Sequence, residues 1–173
     1  MNAVEAQREL EASVAVETGK PAAKLTGYWV DRFRAMPGVA AILFYGSGLN
    51  NNCPEGDVVY DFYLLVHHYR DYAPGWALAA AGSLVPPNVY YFEGPGDSDR
   101  GRCKVAVLTI SQFCAASEEK SFTPHIWARF CQPAALIHAS GDDARRQVVE
   151  AVATAITTFC ANARGTSAES DAL

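Results

Sequence analysis

The stretch FYGSGLNNNCPEGDVVYDFYLLV, residues 44–66, holds the pattern from which the fold can be read. It begins at the end of an apolar run, Val39 to Tyr45, whose length and lack of charge predict a buried strand. Gly46-Ser47-Gly48 follows, and small residues at a strand end let backbone N–H groups approach an anion closely. Residues 46–56 are expected to form a polar loop. Val58 to Val66, rich in β-branched and aromatic residues, predicts a second strand. Asp61 interrupts that strand. An ionised carboxylate among apolar neighbours costs several kcal/mol unless it is paired or binds a metal. A carboxylate facing a glycine-rich turn is what a nucleoside triphosphate with Mg²⁺ requires, although a plain turn between strands and an Asp satisfied by loop amides also account for the residues.

Working outward, Leu25, Tyr28, Trp29, Phe33 and Met36 fall at helical spacing and predict a helix over 22–36, stopped by Pro37-Gly38. Strands are expected over Val89 to Phe92 and Cys103 to Ile110, and a short helix from Thr123-Pro124 to Cys131. A strand at residues 135–138 and a helix over 143–163, with Val148, Val149, Val152, Ile156 and Phe159 on one face, complete the order. A short helix is also expected between the second and third strands. The fold class that follows is α+β, a mixed β-sheet flanked by helices. Residues 1–20 read as a loose N-terminal arm, 21–163 as one domain and 164–173 as a disordered tail.

At 173 residues, the chain is long enough for one domain whose core needs no metal or disulfide staple. A net charge of −5 argues against a nucleic-acid partner, which would face a basic surface. Five scattered cysteines without a C-x-x-C pair form neither a zinc pattern nor a disulfide framework, and point to reduced thiols in a cytoplasmic protein. The first residues lack the apolar run of a signal peptide, and Trp76 to Val85 is too short to span a bilayer. No G-x-S-x-G, H-E-x-x-H or P-loop motif occurs.

Gly-Ser after one strand and Asp on the next resembles the nucleotidyltransferase superfamily. Tyr45-Gly46-Ser47-Gly48, Asp61-Phe62, Val89-Tyr90-Tyr91, Gly101-Arg102 with Lys104, and Arg129 with Pro133 occur in an order similar to the mitochondrial-type phosphatidate cytidylyltransferases, the translocator maintenance proteins. The resemblance spans roughly residues 40–138. It implies a nucleotidyltransferase-like sheet and transfer of CMP from CTP to a phosphatidate-like phosphate, giving CDP-diacylglycerol and pyrophosphate. On that reading Gly46, Ser47 and Gly48 cradle the triphosphate, and Asp61 holds Mg²⁺. Lys104 is catalytic, while Arg102 and Arg129 neutralise phosphate charge on nucleotide or lipid. The acceptor is a phosphate-bearing lipid or small molecule. Pro74-Gly75-Trp76-Ala77-Leu78 is the segment through which the chain would touch the inner face of a membrane peripherally.

The chain departs from that family in three respects. Nucleotidyltransferases set two carboxylates at i and i+2, but Asp61 has Val59 and Tyr63 as same-face neighbours. Asp57 is the second metal ligand by parity, yet it lies ~13 Å along the strand and joins only through a bulge. Glu93 is the other candidate. His67-His68 stands where the family is acidic, and adjacent histidines on a strand point apart. The chain is also short for the family. The competing reading is therefore a catalytically degenerate nucleotidyltransferase-like domain that binds nucleotide or a protein. His125 reads as an ordinary packed or exposed histidine.

Overall fold

A computed structural model describes residues 2–22, 27–49, 59–72, 87–94, 101–118 and 125–170. In chain order the elements are α1 (Ala3–Thr18), α2 (Gly27–Arg34), β1 (Val39–Tyr45), a 3₁₀ turn (Ser47–Leu49), β2 (Val59–Val66), α3 (Tyr69–Tyr72) and β3 (Asn88–Glu93). They continue with β4 (Arg102–Thr109), α4 (Ile110–Ser117), α5 (Trp127–Phe130), β5 (Ala134–Ala139) and α6 (Asp142–Ser170). The strands form one sheet in the order β3-β4-β2-β1-β5. Among the described strands the β2–β4 pair is parallel, and β1–β2, β1–β5 and β3–β4 are antiparallel. The expected mixed sheet flanked by helices is therefore observed.

The alternation of side chains on β2 divides the core in two. Tyr60, Phe62, Leu64 and Val66 face one side, where Trp29 and Phe33 of α2 cover them. The Phe33 ring meets that of Phe62 edge-on at 5.2 Å. Tyr63 and Leu65 face the other side, under Val14 of α1, Phe113 of α4, Phe130 of α5 and the Val148–Val152 stripe of α6. Asp61 belongs by parity to this second, helix-covered face. It lies near the start of β2, where the helices leave the sheet uncovered enough for a cleft.

Three expectations need correction. Residues 1–20 are not a loose arm, because α1 is anchored by a capping box. Asn2 accepts from the Glu5 amide and Glu5 accepts from the Asn2 amide. The helix packs on α6 and β5 but buries only Val14 and Thr18 fully, so its apolar stripe is too narrow to stand out in the sequence. Second, the strand expected to end at Ile110 ends at Thr109, where a second capping box between Thr109 and Gln112 opens α4. Third, α6 runs past residue 163 to Ser170, where a disordered tail was expected; no proline interrupts it. Between β2 and β3 the described residues form the single turn α3; residues 73–86, on which the expected helix falls, lie outside the described residues.

Candidate functional site

Register places the site. Across the sheet, Tyr91 pairs with Lys104, Lys104 with Asp61, Asp61 with Tyr45 and Tyr45 with Ala134. Directly opposed residues share a sheet face, so one row carries a carboxylate flanked by an ammonium and a phenol. α5 brings Arg129 over this row. The result is a cleft of about 470 Å³ whose wall includes Tyr45, Gly46, Asp61, Lys104, His125 and Arg129.

Asp61 is half-buried, and among the described residues no hydrogen bond or ion pair reaches its oxygens. Burial raises its carboxyl above the ordinary value, against the opposing pull of Lys104 and then Arg129. Lys104 directs its Nζ toward the Tyr91 ring, 6.0 Å from the centroid, and forms no ion pair with Asp61. Arg129 Nη1 donates to the Tyr45 hydroxyl at 2.8 Å. Burial works against the Arg129 charge, but the Tyr45 and Tyr63 hydroxyls and the Asp61 carboxylate outweigh it and hold the guanidinium above its ordinary range. Two cations thus stand around one unpaired acid, a distribution suited to an anion carrying its own divalent metal.

Gly46 has φ +85°, a left-handed backbone that glycine adopts without strain, and it lines the cleft. Ser47 opens the 3₁₀ turn. Gly48 serves packing instead of the cleft wall: it is buried, and a Cβ there would fall 2.7 Å from the Phe44 ring. Arg102 lies one pleat away on the same face, opposite both Val59 and Glu93, and is not part of the cleft wall. Asp57 lies outside the described residues, as does the Pro74–Leu78 segment. Glu93 is on β3, with β4 between it and β2 and an offset of one pleat, which puts it roughly 12 Å from Asp61. His67 is at the opposite end of β2 from Asp61, within 3.3 Å of the Ser140 hydroxyl.

Four residues not expected at the site from the sequence line it: Tyr45, His125, Ala128 and Gln132. Tyr45 passes for core, being 7% exposed, yet it lines the cleft and its hydroxyl accepts from Arg129. His125 precedes Arg129 by four residues and Gln132 by seven, and all three line the cleft with Ala128. That helical spacing was the available signal.

Asp61 is the one acidic side chain in the cleft wall among the described residues, and no group of three His, Cys, Asp or Glu converges there. Mg²⁺ is commonly held by one or two carboxylates together with substrate phosphates. An unpaired Asp61 beside the cations of Lys104 and Arg129 fits that donor set. No family model and no curated protein matches this chain.

Proposed function

We propose that the chain is a metal-dependent nucleotidyltransferase of phosphatidate cytidylyltransferase type. The observation that carries the reading is the unpaired Asp61 carboxylate set between Lys104 and Arg129, beside the left-handed turn at Gly46. The β1–turn–β2 order, with a glycine-serine turn and an acid on the next strand, supports a nucleotidyltransferase-like form of the mixed sheet. The motif order in the sequence suggests CTP as nucleotide and a phosphatidate-like phosphate as acceptor.

In this reading Asp61 holds Mg²⁺, which when bound supplies charge neutralisation on the triphosphate. Lys104 and Arg129 bind phosphate oxygens and hold the α-phosphorus toward the acceptor. An oxygen of the acceptor phosphate forms the new bond to that phosphorus, and the bond to the β-phosphate oxygen breaks, releasing pyrophosphate. The acceptor oxygen is already ionised near neutral pH, so the cleft need not supply a strong base. Arg102 stands back from the cleft wall, on the acceptor side. Among the described residues no helix is long and apolar enough to cross a membrane, so lipid would be reached from the surface.

The test is incubation with phosphatidic acid, Mg²⁺ and each labelled nucleoside triphosphate. Label entering lipid from CTP, with pyrophosphate released and both lost in Asp61→Asn, is the expected result. That Asp61 is the one carboxylate in the cleft wall among the described residues favours a second reading, a degenerate domain that binds nucleotide without turnover. Metal-independent nucleotide binding without transfer to any acceptor would decide for it.

A further inference from the structure

We propose that Tyr45 is a positioning residue: its phenol fixes the Arg129 guanidinium so that the remaining N–H groups face a bound phosphate. The proposal rests on the phosphate reading of the cleft and adds the device that orients its cation. Arg129 needs one. It sits on α5, a single turn of four residues, and is itself exposed, so its own element does little to restrict a long side chain.

Tyr45 supplies the restraint. Its ring is held between Tyr63 and Phe130, with centroids 5.2 and 5.9 Å away, and its backbone is paired on both sides by β2 and β5. From this fixed position its hydroxyl accepts the Arg129 Nη1 proton at 2.8 Å, and the guanidinium carbon is 5.0 Å from the ring centroid. The bond uses one of five donors. Among the described residues no other group takes the rest, and Asp61 does not form an ion pair with them. The phenol accepts without carrying a charge of its own, so the cationic charge of Arg129 remains available to a ligand.

Phe at this position keeps the ring and removes the hydroxyl. The experiment titrates wild type, Tyr45→Phe, Arg129→Ala and the double variant with tripolyphosphate, and records the Arg129 Nε–H NMR signal of ligand-free protein, assigned by its absence in Arg129→Ala. If Tyr45 acts through Arg129, Tyr45→Phe weakens binding on the order of tenfold, the scale of one charge-assisted hydrogen bond. The double variant then binds no more weakly than Arg129→Ala alone, and the Nε–H signal, sharp in wild type, broadens in Tyr45→Phe. A merely structural role would not produce that non-additivity. Multiplying losses, or an unchanged Nε–H signal in Tyr45→Phe, would overturn the proposal. Failure of wild type to bind tripolyphosphate would overturn the phosphate reading itself. This is a separate failure, after which the NMR signal alone decides whether Tyr45 restrains Arg129.

Discussion

Asp61 Oδ2 crowds the place a side chain at residue 46 would take: a Cβ built on Gly46 would stand 3.2 Å from it, so the carboxylate would have to give by a few tenths of an ångström. The glycine thus serves two ends, admitting a φ of +85° and leaving room for the carboxylate. Gly46→Ala is expected to cost about 1–2 kcal/mol for the left-handed backbone alone, and to push Asp61 from its place. Urea unfolding should show the loss of stability, and nucleotide titration should show weaker binding. Wild-type values in both would mean that the turn relaxes and that the close approach has no role.

Asp61 itself gives a prediction with a definite sign. Its carboxyl is raised from the ordinary 3.8, chiefly by burial. A raised folded-state pKa contributes stability that is fully present below the unfolded value and is lost as pH rises through the folded one. At neutral pH the ligand-free fold therefore carries a charge it would be more stable without. Asp61→Asn should melt at or above wild type near pH 7, with the advantage shrinking as pH falls toward about 3, and should show no Mg²⁺-dependent nucleotide stabilisation. Melting curves across that range check it. A variant that is clearly less stable without ligand, yet still shifts with nucleotide and Mg²⁺, would remove Asp61 from the metal role.

Phe130 lies beneath the cleft with no exposed surface, its ring 4.9 Å from Phe113 and 5.0 Å from Tyr63, both edge-on. Truncating it leaves a cavity under α5. Phe130→Ala is expected to cost roughly 3–5 kcal/mol. That is a large share of the ~5–15 kcal/mol that holds a domain folded. Denaturant titration measures it; a loss under about 1 kcal/mol would mean that α5 is not seated by this ring.

The thiols should separate by reactivity. Cys103 is fully buried, and burial pushes its pKa up to about 12, against a small opposing pull from Arg32. Cys160 is exposed on α6. A thiol reagent near pH 8 should label Cys160 promptly and Cys103 only at the rate at which the sheet opens. Peptide mapping over a time course, with and without sub-denaturing urea, tests this. Equal rates would show that the β3–β4 edge opens freely.

The central strands were legible for a physical reason. β1, β2 and β4 are buried on both faces and read as continuous apolar runs, so Val39–Tyr45 matches its expected bounds and β2 ends at Val66 as expected, its expected first residue lying outside the described residues. The same uniformity hid α4, since the apolar run of β4 passes into Ile110 without a break; the Thr109–Gln112 capping box was the sign that divided them. At the site, Asp61 and Lys104 could be picked out because each breaks an apolar pattern. Their adjacency could not, because it depends on a parallel register between strands joined by a long crossover. Tyr45 was missed because a tyrosine in a buried strand is indistinguishable from packing until its hydroxyl finds a partner.

The Arg129–Tyr45 bond joins residues 84 positions apart, and Lys104 and Asp61 come from two further strands between them. Closing so long a loop costs chain entropy before any contact repays it, so this corner belongs to the slow, late part of folding. A chain emerging from the ribosome can form β1 and β2 early, but it has no complete cleft until α5 has been made and has docked. Phosphate affinity in a nascent chain should therefore appear late and all at once, as a report that the sheet has been assembled in the right order.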